Sequence, residues 1–291
     1  MTARERHSLA DTAIDSVLPS HAPAVSLRLP DVQSPAWLRT RLAERAAAGE
    51  IEVVRFDEPL WPQEARLRIA DSIDTDYVVF LDNDVQVAPG WLARSSAAPT
   101  RPGAGVVGPL YLWGDGVKPP TIHMAGGVIQ RAFGSRGPRT RRAASPRWRR
   151  SPHRGPQAWP AAPCDYVEFH CMLVRTSLLR GDPVLDTRLR CVHEAYRCIA
   201  CRKARGYATV FEPAALVTYL AFAGYSPRRA RVLRARWSAA EAEANIATFC
   251  RKWNVVDTHA RSATFAHFPP CTWRRSSPLG VRRPQRRETR R

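Results

Sequence analysis

Two aspartates one residue apart, Asp82 and Asp84, follow directly on the apolar run Tyr77-Val-Val-Phe-Leu81. Such a continuous run is the pattern of a strand buried on both faces. In open α/β sheets, ligands bind beyond the carboxyl ends of strands. Carboxylates crowded there repel one another unless a cation intervenes. A divalent ion with oxygen ligands, bridging them to a diphosphate, would supply that charge. The plain alternative is a solvated acidic turn, and a bare Asp-x-Asp does not decide between the two. A further carboxylate of interest is Glu194, in His193-Glu-Ala-Tyr-Arg197. At a helix start it would serve either as a general base or as a partner of the helix dipole. Cys198-x-x-Cys201, with Cys191 and His193 nearby, lacks a second spaced pair, so a zinc site is disfavoured there.

The charge of the chain is localised. Its 291 residues carry 45 Lys+Arg against 26 Asp+Glu, a formal charge of +19. Residues 131–163 hold nine arginines and no acid, and residues 271–291 hold eight arginines and Glu288. The rest is nearly neutral. Both basic segments read as loop or disordered text, the first an insertion and the second, from 255 to 291, a tail. Trp148 and Trp159 could stack on bases. No recognisable nucleic-acid module surrounds them, so nucleic acid is disfavoured as a partner, and peripheral contact of the basic segments with an anionic membrane stays open. Trp91, Trp237 and Trp253 read as core or interface anchors. The longest apolar stretch, near Ala214–Ala223, is too short to span a bilayer. Met1–Leu18 has no apolar signal region, and the seven cysteines are scattered. These features predict a cytoplasmic chain, in peripheral contact at most with the inner face of the membrane.

The elements that must position the aspartates follow from periodicity. Helices are predicted at Leu9–Leu18, Pro35–Ala48 (closed by Gly49), Gln63–Ile73, His193–Arg205 and Ala230–Trp253. Strands are predicted at Ala24–Leu29, Ile51–Phe56, Tyr77–Leu81, Gly105–Leu112, Ile122–Gln130, Tyr166–Val174 and Tyr207–Phe211, with a turn at Pro30–Pro35. Alternating strands and helices indicate an α/β fold with a mostly parallel sheet.

Several blocks lie in one order. They are Asp31-Val-Gln-Ser-Pro35, Glu64-Ala-Arg66, Tyr77–Leu92 around the Asp82-Asn83-Asp84 turn, Gly105-Val-Val-Gly-Pro-Leu110, His123-Met-Ala-Gly-Gly-Val128, Asp165–Arg175 and Phe211-Glu-Pro-Ala214. Taken together they resemble the inverting family 2 glycosyltransferases of the GT-A fold, over residues 9–254. The resemblance implies a Rossmann-like GT-A domain at 1–254 with a helical C-terminal portion. It also implies transfer of a sugar from a nucleotide-sugar donor to a hydroxyl acceptor, a glycan or a lipid-linked sugar, with inversion. Carried over, Asp31, Arg66, Asp82 and Asn83 would bind the donor, and Asp84 with Asp82 would hold Mg²⁺ or Mn²⁺. Glu194 would be the base.

Four departures stand beside it. Ala195 and Arg197 replace expected acids after Glu194, Leu67 replaces an Asn after Arg66, and Tyr219 stands where many relatives have a histidine near the metal. The family's apolar first strand is also missing before the helix at Leu9. These features support a second reading, a truncated or catalytically impaired relative. A third is a basic nucleic-acid- or membrane-surface-binding α/β protein.

Overall fold

The computed structural model describes residues 6–20, 25–97, 103–114, 120–134, 137–144, 159–180, 187–189, 206–220 and 238–253. Five α-helices are described: α1 (Ala10–Val17), α2 (Ala36–Ala47), α3 (Pro62–Ala70), α4 (Trp91–Ala97) and α5 (Ala239–Trp253). α1 buries Ala10, Ala13, Ile14 and Val17, the stripe its spacing predicts. α3 begins with Pro62 in the first turn, where a missing N–H costs nothing, and the Glu64 carboxylate accepts the Trp61 N–H at 2.7 Å.

Eleven strands and three short 3-10 turns, the first at His7–Leu9, complete the described elements. β1 (Arg28–Val32) pairs in parallel with β2 (Glu52–Phe56) as a sheet of its own. The principal sheet runs β3-β10-β5-β11-β4, where β3 is Tyr77–Leu81, β4 Val85–Val87, β5 Ala104–Gly114, β10 Cys171–Arg175 and β11 Ala208–Leu220. β6 (Thr121–Met124) extends it beside β5, and β9 (Ala162–Cys164) beside β11. β7 (Gly127–Gly134) and β8 (Gly137–Ala144) form an antiparallel hairpin.

The α/β class is as expected, but the principal sheet is mixed, not mostly parallel. Among the described residues, β5 and β11 are its one parallel pair. β10 lies between β3 and β5, antiparallel to both, and β4 is antiparallel to β11.

Among the described residues, β1 pairs only with β2 and β3 only with β10. The β1–β2 pair is thus separate from the principal sheet among the described residues. Leu29, Phe80 and Leu81 nevertheless belong to one buried apolar cluster, with Ala10 and Ile14 of α1 and Leu38 and Leu42 of α2.

Several boundaries differ from the sequence reading. The first strand is Arg28–Val32, so Pro30 and Asp31 lie inside it. Leu27 accepts the Glu52 N–H, which turns the odd-numbered backbone groups toward β2 and lets Pro30 face the other side. Ile122–Gln130 divides into β6 and β7 at Ala125-Gly126, and the predicted Tyr166–Val174 strand begins only at Cys171. β11 runs on to Leu220, with an irregularity between Glu212 and Leu216. Residues 131–134 and 137–144, predicted as loop, are hairpin strands. Trp159 is buried against Leu110, Ala125 and Phe211, so it is no stacking platform. Trp91 is a core anchor, as expected. Trp148, Trp237, Cys191, His193, Glu194, Cys198, Cys201 and the tail 255–291 lie outside the described residues. No helix among the described residues is long and apolar enough to cross a membrane.

Candidate active site

The site begins at the carboxyl end of β3. Asp82 is bound through its backbone, the N–H donating to the His170 carbonyl at 3.1 Å, so the acidic turn is sewn to the loop that precedes β10. Its carboxylate meets two partners. Arg66 of α3 donates from Nη2 to Oδ1 at 2.8 Å, and His170 Nδ1 lies 3.1 Å from Oδ2. The side chains of Arg66 and Asp82 are both 0% exposed. Burial of a charge without water requires a partner in this geometry. The Arg66 guanidinium also lies 4.6 Å from the Phe169 ring centroid and donates to Gln63 Oε1 at 3.3 Å.

Asp84 has a different cation. Arg6 Nη1 donates to its Oδ2 at 3.1 Å, with 6% and 5% of the two side chains exposed. Asn83 is buried and its Nδ2 donates to the Arg6 carbonyl at 3.0 Å. The residue before the first helical turn is therefore clamped by two neighbours of the turn. Arg6 also lies 5.1 Å above the Tyr219 ring. Tyr219 is brought there by β4–β11 pairing, which sets Thr218 opposite Gln86 and lets the Leu220 N–H donate to the Asp84 carbonyl at 2.9 Å.

The opposite wall is made by His123 of β6 and by Glu168 and His170 of the loop before β10. His123 Nε2 lies 2.9 Å from Glu168 Oε2, and His170 Nε2 lies 3.5 Å from the same oxygen. His170 stacks on Tyr219 with ring centroids 4.2 Å apart, and His123 packs edge-on against Trp113 at 5.8 Å. The loop is braced from below by Tyr111 of β5, whose hydroxyl lies 2.9 Å from the Glu168 carbonyl and 2.7 Å from the Cys171 carbonyl. Burial pushes the Tyr111 phenol well up, so it stays a protonated donor. Burial, with the Asp82 charge nearby, also pushes the Cys171 thiol up. Gly108 and Gly127 admit this loop. A Cβ at Gly108 would collide with Val167, and one at Gly127 with the Tyr166 ring.

The fold thus brings Arg66, Asp82, Asn83 and Asp84 together. Asp82, Asp84 and His170 offer ligand atoms within 4.8 Å of one another, as do His123, Glu168 and His170. Asp31 lies at the end of β1 in the other sheet. Its Oδ1 accepts the Ser34 N–H at 3.1 Å, and its Oδ2 faces Arg55 Nε at 3.4 Å. Sequence reasoning missed Arg6, Glu168, His170 and Tyr111 as site residues. His123 and the Glu168–His170 pair lay inside blocks already singled out, so two histidines there were a usable signal. Arg6 carried none.

Residues 39–181 match the family model described as glycosyl transferase family 2. The fold is similar to that of GalNAc-T7, crystallised with UDP, GalNAc and Mn²⁺, at 17% identity and TM-score 0.57, over 75% of this chain and 42% of that one. It is also similar to that of S. aureus TarS, at 11% identity and TM-score 0.50, over 87% of this chain and 42% of that one. The chain therefore spans less than half the length of either protein. No curated protein matches the sequence. Residues 39–181 are thus similar to glycosyl transferase family 2, and the fold is of the GT-A kind.

Proposed function

We propose that the chain transfers a sugar from a nucleoside-diphosphate donor to a hydroxyl acceptor, with inversion at the anomeric carbon. The observation that supports this most is the pair of buried carboxylates, Asp82 and Asp84, at the carboxyl end of β3. Two acidic oxygen donors one residue apart suit a hard divalent cation, Mg²⁺ or Mn²⁺. Such an ion supplies the charge that stabilises the departing diphosphate.

The chain's own residues do the rest. Arg66 fixes the Asp82 carboxylate through their buried ion pair. Asn83 orders the Arg6 backbone beside it. Asp31 presents a carboxylate at the end of β1, where it would accept from the ribose or base of the donor. Glu194 is the carboxylate assigned to take the acceptor proton during in-line attack. The acceptor is a glycan or lipid-linked sugar, met by a cytoplasmic chain in peripheral contact with an anionic membrane.

One observation favours a second reading, a relative that binds a nucleotide but transfers nothing. Arg6 occupies Asp84 at 3.1 Å, where the cation would need that carboxylate. Thermal shift with UDP-, GDP- and dTDP-sugars, with and without Mn²⁺, tests the shared part of both readings. Mn²⁺-dependent stabilisation by at least one donor is expected. Its absence for all three would remove the transferase reading. Product formation then separates the two, and Glu194→Gln should keep donor binding while ending transfer.

A further inference from the structure

The wall facing Asp82 has a donor set of its own. His123 and His170 direct their Nε2 atoms to one oxygen of Glu168, at 2.9 and 3.5 Å. The three ligand atoms lie within 4.8 Å of one another, close enough for one ion to reach all of them. His170 is oriented for that use. Its Nδ1 faces the Asp82 carboxylate, which is held by Arg66, and its Nε2 is the ring atom on the Glu168 side, where an ion between them would take the Nε2 lone pair. A carboxylate on the far nitrogen of an imidazole is the usual support of a metal-bound histidine, because it fixes the tautomer and the ring. The ring is further held by Tyr219, stacked 4.2 Å away, and its loop by the Tyr111 hydroxyl on the carbonyls of Glu168 and Cys171.

Access also differs from that of the aspartate pair. The side chains of His123, Glu168 and His170 are 26%, 19% and 15% exposed, so an ion can enter without opening the core.

We propose that His123, Glu168 and His170 form a second divalent-cation site, one that takes a nitrogen-preferring transition ion of the Zn²⁺ class. Two imidazoles and one carboxylate select such an ion over Mg²⁺. Three protein ligands leave a coordination position for water or an anionic oxygen. His170 joins the two sites as a link, Nδ1 toward Asp82 and Nε2 toward the second ion. The site does not depend on the transferase reading, since nothing in it requires a nucleotide.

The test uses the full chain, stripped of metal by a chelator and titrated without nucleotide. Zn²⁺ uptake is followed by calorimetry, and Co²⁺ serves as a spectroscopic probe of nitrogen ligation. The native chain should bind one Zn²⁺ tightly and give a Co²⁺ spectrum with imidazole ligation. His123→Ala should weaken Zn²⁺ by about 100-fold or more, at the upper end of what losing a supporting group costs. Glu168→Gln, a near-isosteric change, should do the same and decides the matter if His123→Ala does not fold. Asp84→Asn should leave Zn²⁺ affinity and the Co²⁺ spectrum unchanged. The proposal is overturned if both His123→Ala and Glu168→Gln bind Zn²⁺ as the native chain does. It is overturned equally if only Asp84→Asn abolishes binding. Unaltered Zn²⁺ binding in His123→Ala, with a shifted pH profile of sugar transfer, would make the cluster a proton relay instead. If no nucleotide sugar binds but Zn²⁺ behaves as stated, only the transferase reading falls.

Discussion

The two walls of the site hold their carboxylates by opposite means. At the Asp82–Asp84 turn the charges are sealed in and answered by arginines, Arg66 on one and Arg6 on the other. At the His123–Glu168–His170 wall the carboxylate is partly exposed and answered by imidazoles. A guanidinium is a permanent cation that cannot give up its proton in a protein. An imidazole, by contrast, can give up a proton and offer its nitrogen to an exchangeable ion. The first wall therefore has its charge balance built into the chain, and an ion arriving there must share or displace Arg6. The second wall can receive one directly. A single ring, His170, touches both, which makes the two walls mechanically one object.

Four substitutions break or sharpen this contrast. Arg66→Met leaves Asp82 buried without its cation. A loss of about 3–5 kcal/mol in urea unfolding is expected, because breaking a buried pair strands the remaining charge. A loss below about 1 kcal/mol, the range of an exposed pair, would mean that Asp82 is not sealed as described. Arg6→Met should cost less, about 1.5–3 kcal/mol for a hydrogen bond to a charged group. Mn²⁺ should restore much of that deficit, since the ion supplies the charge Arg6 gave. Mn²⁺ that stabilises native chain and variant equally would show that Arg6 and the cation do not compete. Tyr111→Phe removes the hydroxyl under the second wall. About 1 kcal/mol is expected, with altered ring signals of His123 and His170 by NMR. Unchanged ring signals would mean that Tyr111 does not position the loop. Glu52→Gln, at the partly exposed Arg28–Glu52 pair of 2.9 Å, should cost under about 1 kcal/mol and be masked by salt.

Much of this architecture is legible in the residues. The five-residue apolar run gives β3, and the 3.6-residue spacing gives α1 and α2 within a residue or two. The Asp82–Asp84 turn stands out because charge right after an apolar strand needs a reason. The hairpin at residues 127–144 was hidden because its five arginines read as loop text, whereas strand pairing depends on backbone bonds that composition does not report. The place of β10 was hidden because strand order depends on contacts distant in sequence. Arg6 was invisible for the same reason: its partner Asp84 lies 78 residues away. The second wall was half visible. His123, Glu168 and His170 lay inside recognisable blocks, but their convergence needs the β5–β6 pairing and the Tyr111 brace.

The most direct measurement is Mn²⁺ binding, followed by its electron paramagnetic resonance, with and without UDP in the native chain and in Asp84→Asn. The account predicts that UDP tightens Mn²⁺ binding to the native chain and that Asp84→Asn loses this coupling. Mn²⁺ binding that is indifferent to UDP in the native chain, or coupling that survives Asp84→Asn, would contradict a diphosphate-bridging site at the end of β3.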